Sequence, residues 1–446
     1  MINNIIKILN LKYYDIDLEK SYLDDIEQRD FKLHIYFNKR DLLCPTCKTL
    51  SKLKEYKVKN IIHSIFIDAK CTIILHQRRM YCPECGKTFM ENNPLVINGH
   101  KTDIDTELSI LNRLRNYRYT FKDVADTYHI SSTTVVRIFD NRVNIKRHTL
   151  STWVSMDEFY ARKLTKTGYC LVIFDPLHNK ILDVLDSRHK YTLIDYFARI
   201  PLEERKKVKF VSIDMWETYK DVALLVFPNC VIAVDSFHVM KHLTKAIDKA
   251  RIRIMNEFKK DEKDDIGYYR LLKKFHYFLT TNIENIKFKP RKGSKYEYLI
   301  DKYGMLEKLL SISTELKKIY TLRETYREFN SLTEYDEAQD KLQDVIDKFK
   351  TARIEEFWPF ISLLENWFNE ICNSFINVEH RRLSNGPIES LNSRVKIVLD
   401  NGYGYTNFNR FRNRLMYSLN YNEPIIGSDS NNSYKRKGKP RGKYKK

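Results

Sequence analysis

The sequence predicts an α/β protein with a central sheet, a long all-helical region after that sheet, and two small modules before it. In residues 151–242, short β-branched runs alternate with helical patterns, which indicates strands joined by crossover helices. Residues 243–380 are charged and helical in pattern, whereas residues 1–100 are strand-like and contain two cysteine pairs. The chain has 12 glycines and 11 prolines among 446 residues, and this low number favours long regular elements.

The composition narrows the class of partner. A formal net charge of +20 and a pI near 9.3 favour nucleic acid, because clustered Lys and Arg release its counterions. Binding to acidic membranes or ribosomes is the alternative that charge alone leaves open. No apolar run is long enough to span a bilayer, and no signal-peptide pattern opens the chain. We therefore expect a cytoplasmic protein with no membrane partner, and the cysteine usage suits a reducing compartment.

The cysteine pairs form the most specific local motif. CPTC supplies Cys44 and Cys47, and CPECGKTF supplies Cys82 and Cys85. Each pair can form a turn that directs two sulfurs at one ion, and two such turns complete a tetrahedral, structural Zn²⁺ site. Gly86 permits the tight backbone after the second pair, and the stretch between the pairs is predicted to form two strands. Unrelated surface pairs or a redox dithiol are the alternatives.

Residues 103–147 divide into three helices. A helical face at spacing i, i+3, i+4 ends at residues 129–131, and Ser131 or Ser132 can cap the next helix. The spacing fits a helix-turn-helix, although a plain three-helix bundle has the same periodicity. A helix-turn-helix would turn four side chains toward a DNA groove, namely Ser132, Thr133, Thr134 and Arg137.

The central region follows the order β-β-β-α-β-α-β. The predicted strands are TWVSMDEF, YCLVIFD, KILDVLD, KFVSID and NCVIAVD, and the predicted helices are YTLIDYFARI and ETYKDVALLVF. This is the order of a ribonuclease-H-like sheet, in which the first and fourth strands each contribute an acid. Asp157 and Asp214 occupy those two positions. Ligands of open α/β sheets bind beyond the carboxyl ends of the strands, where both acids lie.

A third acid is predicted on a later helix, as is usual for chains with such a site. In SNGPIESLNSRVK, Asn385 can cap the helix, Pro387 suits its first turn, and Glu389 follows within that turn. Asn392 and Lys396 would lie on the same face as Glu389. Mg²⁺ or Mn²⁺ would be held by these acids, since hard divalent ions prefer oxygen ligands.

The three acids suggest phosphoryl transfer by two ions. Asp157 would bridge both ions, with Asp214 and Glu389 on one ion each, and the nucleophile would be water or a DNA 3′-hydroxyl. Other acids also follow apolar runs, but a strand-terminal Asp is more often a turn residue; they are Asp175, Asp183 and Asp186. Strand alternation would turn Glu158, a further possible ligand, to the opposite side of the sheet.

Over nearly its whole length the chain resembles the ISL-three family of bacterial insertion-sequence transposases, which are of the DDE type. The resemblance rests on CPTC, CPECGKTF, MDEF, SIDMWETY, FPNCVIAVDSFHVMK, and SNGPIESLNSRVK followed by GYGYTNFNRFRNRL. It implies that Asp157, Asp214 and Glu389 are the DDE acids. It also implies a helical insertion between the last strand and the helix of Glu389. Ser390 stands where the family usually has Gly, so a small residue is kept.

The resemblance also concerns Asp235 and His238. They match an Asp-x2-His signature found in such transposases, which implies a place near the active site but outside the metal ligands. A hydrogen-bonded pair with a structural role is the alternative.

Several basic and aromatic side chains are candidates for contacts with DNA. We predict that Arg394, Lys396 and the basic run at residues 409–414 face phosphates, or else form a solvated helix face. The tryptophans Trp216, Trp358 and Trp367 are candidates for stacking on unpaired bases, although aromatics in apolar stretches are more often core.

The predicted function is a DNA transposase. It would bind the terminal inverted repeats of its element, cut at the ends, and join the freed 3′-hydroxyls to target DNA, as a homodimer or a higher synaptic complex. The rivals are a ribonuclease-H-like nuclease or resolvase, and a non-catalytic DNA-binding regulator derived from a transposase. The predicted boundaries are residues 1–100 for a zinc ribbon, 101–150 for the helix-turn-helix, 151–242 and 381–424 for the ribonuclease-H-like catalytic domain, 243–380 for the helical insertion, and 425–446 for a basic disordered tail.

Overall fold

A computed structural model describes residues 2–24, 30–66, 69–97, 100–162, 164–259, 263–289, 301–402 and 404–425. The contacts divide the chain into two compact units. One combines Met1–Lys146 with Arg394–Lys446, and the other is Arg147–Ser393. Residues 426–446, which make up nearly all of the predicted basic tail, lie outside the described residues. Within the described ranges, every helix is too short or too polar to cross a membrane.

A five-stranded sheet opens the first unit. Its elements are α1 (Ile2–Ile8), β1 (Tyr22–Leu23), β2 (Asp30–Ile35), β3 (Lys52–Phe66), β4 (Ala69–Tyr81) and β5 (Thr88–Met90). The strand order is β1-β2-β4-β3, with β5 also paired to β4. Alternation in β2 buries Phe31, Leu33 and Ile35 against one core, as expected for a sheet with one covered face. The long β3–β4 hairpin confirms the two strands predicted between the cysteine pairs.

Three helices follow, as predicted: α2 (Ile104–Leu114), α3 (Phe121–Thr127) and α4 (Ser132–Arg142). Thr120 and Asp123 form a capping box at the start of α3, where each side chain accepts a backbone N–H of the other residue. Ser131 caps α4 by accepting the backbone N–H of Thr134. The caps place the turn between α3 and α4 at the predicted residues.

The second unit contains a mixed sheet in the predicted order. Its elements are β6 (Trp153–Tyr160), β7 (Tyr169–Asp175), β8 (Lys180–Leu185), α5 (Lys190–Ala198), α6 (Leu202–Arg205), β9 (Phe210–Ile213), α7 (Glu217–Val226) and β10 (Val231–Val234). The strand order is β10-β9-β6-β7-β8. Strands β6, β7 and β8 form an antiparallel meander, whereas β9 is parallel to both β6 and β10.

The predicted helical region extends from this sheet. It comprises α8 (Ser236–Glu257), α9 (Lys263–Lys274), α10 (Tyr277–Thr280), α11 (Lys302–Leu310), α12 (Thr314–Leu332), α13 (Ala338–Ala352), α14 (Trp358–Asn366) and α15 (Phe368–Asn373). A short hairpin of β11 (Asn377–Val378) and β12 (Arg381–Arg382) follows. The helices share one continuous core with the sheet. Asn373 donates from its amide Nδ2 to the carbonyl of Ile232 in β10, so the chain returns to the sheet after the helical region.

Two helices end the described chain, α16 (Gly386–Asn401) and α17 (Phe408–Leu419). Arg414 of α17 is buried and donates to the backbone carbonyls of Leu114, at the end of α2, and of Asn116 and Tyr119 in the loop that follows. The last carbonyls of a helix have no donors within the helix, and Arg414 supplies them. Residues from Arg394 onward therefore group with the first unit. This grouping differs from the predicted assignment of residues 381–424 to the catalytic domain.

The same contacts correct the prediction for the basic run at residues 409–414. Arg410 forms a bidentate ion pair with Asp140, and Arg412 donates to the carbonyl of Ile145 at 2.7 Å. With Arg414 buried, all three arginines of the run have partners inside the first unit. Buried Arg414 cannot face DNA phosphate, which sequence alone did not show. For Arg410 and Arg412, which are partly exposed, phosphate contact stays a prediction.

Candidate active site and metal centre

The register of the parallel strands gathers acids at one edge of the sheet. Met156 of β6 pairs with Ile213 of β9, and Ile213 pairs with Val234 of β10. Each of these residues is followed directly by an aspartate. Asp157, Asp214 and Asp235 therefore stand at the same level on three neighbouring strands, at the carboxyl ends of β9 and β10. This is the edge where ligands of α/β sheets bind.

Asp157 is held by α16. Its Oδ2 accepts a hydrogen bond from Asn392 Nδ2 at 2.6 Å, and its Oδ1 accepts one from the backbone N–H of Glu158 at 2.7 Å. Burial, followed by the charge of Asp214, raises the pKa of Asp157 to about 7. A nearby cation would stabilise the ionised form of Asp157, because it would offset both the lost hydration and the repulsion from Asp214.

Asp214 is held by a second amide, from the residue directly before α16. Asn385 Nδ2 donates to its Oδ1 at 3.3 Å, and His238 Nε2 lies 3.2 Å from its Oδ2. Burial raises the pKa of Asp214 although the positive charge of His238 opposes the shift. The amide oxygen of Asn385 accepts no hydrogen bond from the residues that the structure describes. Asn385 therefore supports Asp214 instead of capping α16 with its side chain, which was the prediction.

Glu389 lies with Asp235 and His238 in a group that could hold a metal ion. One ligand atom from each of the three residues lies within 4.8 Å of the others. Asp235 Oδ1 accepts the backbone N–H of Phe237 at 3.3 Å. Its buried Oδ2 meets no hydrogen-bond donor within the described ranges and lies 3.7 Å from His238 Nδ1. Burial, followed by the charge of Asp235, raises the pKa of Glu389. The neighbouring carboxylate of Asp235, more than that of Asp214, raises the pKa of His238.

Contacts and charges link the five predicted residues, which we call the acid cluster: Asp157, Asp214, Asp235, His238 and Glu389. Among the described residues, however, the metal-capable group joins Glu389 to Asp235 and His238, and includes neither Asp157 nor Asp214. The electrostatic influence of Asp214 on both Asp157 and Glu389 joins its members. Three residues at spacing i, i+4, i+7 serve the cluster: Asn385, directly before α16, and Glu389 and Asn392 within it. This spacing is one helical face, so the polar face of α16 was visible in the sequence although the role of Asn385 was not.

The competing acids have other partners. Asp175 accepts the backbone N–H groups of Leu177 and His178, as expected of a turn residue, and Asp183 accepts the hydroxyl of Tyr196 at 2.6 Å. Asp186 is exposed and lies outside the metal-capable groups of the described chain. Glu158 pairs with Arg188 and accepts the hydroxyl of Tyr219. These contacts agree with its expected position on the opposite face of β6 from Asp157.

A separate candidate metal centre lies in the first unit. Ligand atoms of Cys44, Cys47, Cys82 and Cys85 all lie within 4.8 Å of one another. Cys44 Sγ is 3.6 Å from Cys85 Sγ, and Cys47 Sγ is 3.4 Å from Cys82 Sγ. The backbone N–H of Cys85 and then the hydroxyl of Thr49 lower the pKa of Cys82 to about 6, which favours the thiolate that binds metal.

The two cysteine turns have equivalent backbones. Gly86 follows the second pair with φ +67°, and Lys48 follows the first pair with φ +61°. The backbone N–H of each of these residues donates to the first cysteine of its own pair. The prediction for Gly86 is confirmed, and Lys48 adopts the same left-handed conformation without being glycine.

The predicted DNA-facing residues of α4 lie on its surface to different degrees. Thr133 and Arg137 are exposed, whereas Ser132 and Thr134 are half-buried. The hydroxyls of Thr133 and Thr134 lie 2.8 and 2.9 Å from the Ser131 hydroxyl, so they belong to the helix cap. Ser132 lines a cleft of about 800 Å³ in the first unit, with Arg118, Lys122, Tyr405 and Arg410 among the other lining residues.

The remaining predicted contacts lie on α16 and at three tryptophans. Lys396 is exposed and Arg394 is half-buried, and the structure gives neither an ion pair among the described residues. Trp367 is buried, which agrees with a core role, whereas Trp358 is 47% exposed. Trp216 is partly buried beside the acid cluster, where its backbone N–H donates to the Asp214 carbonyl.

Two comparisons with known proteins match this chain. A family model for DDE transposases of the ISL3 type, described as "Transposase", matches residues 154–415, which is more than half of the chain. The transposase for insertion sequence element IS1001 of Bordetella parapertussis is 21% identical over 383 residues, covering 84% of this chain and 88% of that protein. The matched region contains every member of the acid cluster.

Proposed function

Because the chain belongs to the ISL3 family of insertion-sequence transposases, we propose that it cuts DNA at the ends of an insertion sequence and joins the freed 3′-hydroxyls to target DNA. The observation that carries the proposal is the strand register, which sets Asp157, Asp214 and Asp235 at one level while α16 adds Glu389. A regulator without catalysis has no use for carboxylates that repel one another at a shared edge.

The donor set of the acid cluster fits a divalent cation. Carboxylate oxygens, which hard divalent ions prefer, dominate the set, and their mutual repulsion is costly unless a cation offsets it. We propose Asp157, Asp214 and Glu389 as the ligands of Mg²⁺ or Mn²⁺. Bound ions of this kind activate an attacking water or 3′-hydroxyl and stabilise the departing oxygen.

The chain's own residues prepare the site for that chemistry. Asn392 of α16 and Asn385, directly before that helix, hold the carboxylates of Asp157 and Asp214 by hydrogen bonds, so both acids are oriented before DNA arrives. His238 lies between Asp214 and Asp235 and offsets part of their negative charge. We assign Asp235 and His238 an auxiliary role.

The mixed sheet supports a ribonuclease-H-like catalytic domain. An antiparallel meander followed by two parallel strands gives the predicted order, and a helical region separates β10 from the helix of Glu389. We assign residues 151–242 and the start of α16 to this domain, and residues 243–380 to a helical insertion.

We further propose that the first unit recognises DNA. The four cysteines would bind Zn²⁺ and keep the ends of the β3–β4 hairpin together as a zinc ribbon. The segment α2–α4 would act as a helix-turn-helix, with Thr133 and Arg137 exposed for contact with the terminal inverted repeats. Two ends must be held in one complex before they are joined to the target, so the active species would be a homodimer or a higher synaptic complex.

A strand-transfer assay with pre-cleaved element ends tests the catalytic proposal. Wild-type protein with Mg²⁺ should join the ends to target DNA, and Asp214→Ala should abolish joining while DNA binding is retained. Asp186→Ala is the matched control, since it changes an exposed aspartate at the end of β8 and should leave joining intact. Joining that survives Asp214→Ala contradicts the assignment. Cleavage without joining indicates a nuclease or resolvase, and binding alone indicates a regulator.

A further inference from the structure

An arginine beside the acid cluster is held in place by four other side chains. Arg188 Nη1 donates to Glu158 Oε1 at 2.5 Å, and the guanidinium lies 3.9 Å from the ring centre of Tyr169 and 5.1 Å from that of Trp216. The hydroxyl of Tyr219 donates to the other oxygen of Glu158 at 3.0 Å. We call these five residues the arginine cradle. They come from β6, β7, the β8–α5 loop, the β9–α7 loop and α7, so the fold converges on one guanidinium.

The arginine cradle lies at the same edge of the sheet as the acid cluster. Glu158 directly follows Asp157 on β6, and Trp216 follows Asp214 by two residues and donates its backbone N–H to the Asp214 carbonyl. The charge of Glu158 acts on both aspartates and raises the pKa of each. Arg188 is therefore a neighbour of the candidate metal ligands, on the side of the sheet that Asp157 does not face.

Most of the hydrogen-bonding capacity of Arg188 is unused. A guanidinium has five N–H donors in one plane, and among the described residues Glu158 is the one acceptor that Arg188 meets. Arg147 and Arg410 differ, because each gives two N–H groups to a carboxylate. The carbon of the Arg188 guanidinium lies over the rings of Tyr169 and Trp216, and its other donors meet no acceptor among the described residues. The side chain is 31% exposed, which leaves these donors open to a ligand.

We propose that Arg188 binds a phosphodiester of the DNA strand that enters the acid cluster; this inference rests on the proposed function. A planar guanidinium matches the oxygens of a phosphate in a bidentate way, and stacking on aromatic rings fixes its direction in advance. DNA brings further negative charge to an edge that already carries the carboxylates of the acid cluster. A cation with free donors at that edge offsets this repulsion.

The other members of the arginine cradle act through Arg188. Glu158 and Tyr219 orient the guanidinium by a chain of two hydrogen bonds, and Tyr169 and Trp216 restrict it to one plane. They are positioning residues. This arrangement explains why an acid that stands next to Asp157 is not itself part of the acid cluster.

Binding measured against salt tests the contact. The probe is a pre-cleaved element end whose strand lacks the 3′-hydroxyl, so that it binds with Mg²⁺ but cannot be joined. Arg188→Ala should weaken binding about tenfold, as expected for loss of a charged hydrogen-bonding group. The slope of log K against log salt should become shallower by about 0.9, the value for one phosphate contact. Arg199→Ala, which removes an exposed arginine of the same unit that is paired with Asp195, should change neither quantity.

A phosphate map locates the contact and separates binding from a structural role. Single neutral methylphosphonates are placed along the strand near the cut site. Wild-type protein should lose affinity at the contacted position, and Arg188→Ala should be insensitive there. Arg188→Lys should recover part of the affinity, because it keeps the charge without the planar donors. Glu158→Gln should weaken binding with an unchanged salt slope, since the charge of Arg188 stays while its orientation is lost.

The outcomes separate this inference from the proposed function. Equal salt slopes for wild type and Arg188→Ala, or identical methylphosphonate maps, overturn the phosphate contact even if the wild type cleaves and joins DNA. A wild type that never cleaves or joins overturns the proposed function, while the maps still report on Arg188. Thermal unfolding of each variant shows that the protein under test is folded.

Discussion

The two candidate metal centres of this chain are assembled in opposite ways. The cysteine centre of the first unit draws its ligands from two short turns, with each pair of sulfurs separated by two residues. The acid cluster draws its members from β6, the ends of β9 and β10, the start of α8 and the first turn of α16. The comparison teaches that a local motif defines a centre by spacing, whereas a distributed centre depends on strand register and on a returning helix.

The largest expected effect concerns the cysteine centre. Cys82→Ser should remove bound zinc and unfold the β3–β4 hairpin, because structural zinc sites contribute on the order of 10 kcal/mol to folding. Zinc content by atomic emission and hydrogen exchange of the first unit measure the change. Cys230→Ser, at a half-buried cysteine outside the centre, should keep full zinc occupancy. A first unit that stays protected without zinc would mean that the hairpin is held by its own core.

Removal of an acid-cluster ligand should have the opposite effect on stability from removal of a cysteine, because the carboxylates destabilise the fold when no cation is bound. The pKa of Asp157 in the folded chain is about 7, above its ordinary value of 3.8. The folded state therefore holds more protons than the unfolded state between about pH 4 and pH 7, and stability falls as pH rises through that window. The loss is at most about 4 kcal/mol.

Asp157→Asn should remove most of that loss. In the absence of divalent ions, denaturation at pH 8 should show the variant more stable than wild type, and added Mg²⁺ should narrow the difference by stabilising wild type. Asp186→Asn serves as the control and should follow the wild-type pH profile. A variant that is less stable than wild type at pH 8 would contradict the idea that Asp157 is destabilising without its cation.

The helix that completes the acid cluster offers a smaller test. Asn392→Ala removes the amide that donates to Asp157, so that carboxylate loses its fixed orientation. Metal affinity and strand transfer should each fall about 10- to 100-fold, as is typical when a partner of a metal ligand is removed. Ser393→Ala, at the next and exposed position of α16, should leave both quantities unchanged. Unchanged metal affinity in Asn392→Ala would show that α16 contributes through Glu389 alone.

The smallest expected effects compare the two cysteine turns with each other. Gly86→Ala should lower the free energy of unfolding of the zinc-loaded protein by about 1 kcal/mol, since alanine is strained at positive φ. Lys48→Gly should raise it by less than about 1 kcal/mol by relieving the equivalent strain. Gly267→Ala, in α9 with open space around the added carbon, should be stabilising. Chemical denaturation ranks the three variants. If Lys48→Gly lowers the free energy of unfolding as Gly86→Ala does, the two turns are not equivalent.

The sequence predicted those features that depend on local pattern. The cysteine spacing predicted the sulfur cluster, and strand periodicity predicted all five strands of the mixed sheet in their order. Ser131 was one of two candidate caps, because both serines precede the helix and only backbone geometry distinguishes them. Asp157 and Asp214 were identified as strand-terminal acids, but the same pattern also marked Asp175, which the structure shows to be a turn residue.

Features that depend on partners distant in sequence were not predicted. The resemblance implied that Asp235 lies near the active site, but its exact level beside Asp214 follows from the pairing of Ile213 with Val234, which periodicity does not give. Asn385 looked like a cap because it precedes Gly386 and Pro387, whereas its amide reaches Asp214, 171 positions away. Residues 409–414 looked like a nucleic-acid surface because they are basic. In the structure, Arg410 forms an ion pair with Asp140, and Arg412 donates to the backbone carbonyl of Ile145.

The bond between Arg414 and the end of α2 has a consequence for how the chain is made. Arg414 and Leu114 are 300 positions apart, so Arg414 is synthesised long after the carbonyl that it binds has left the ribosome. A polypeptide released early, before α17, would present unsatisfied carbonyls and an uncovered Phe139, whose ring packs against Tyr417 in the finished protein. Truncated products would therefore be substrates for proteolysis, and a nascent copy would complete neither unit until α16 and α17 have been made.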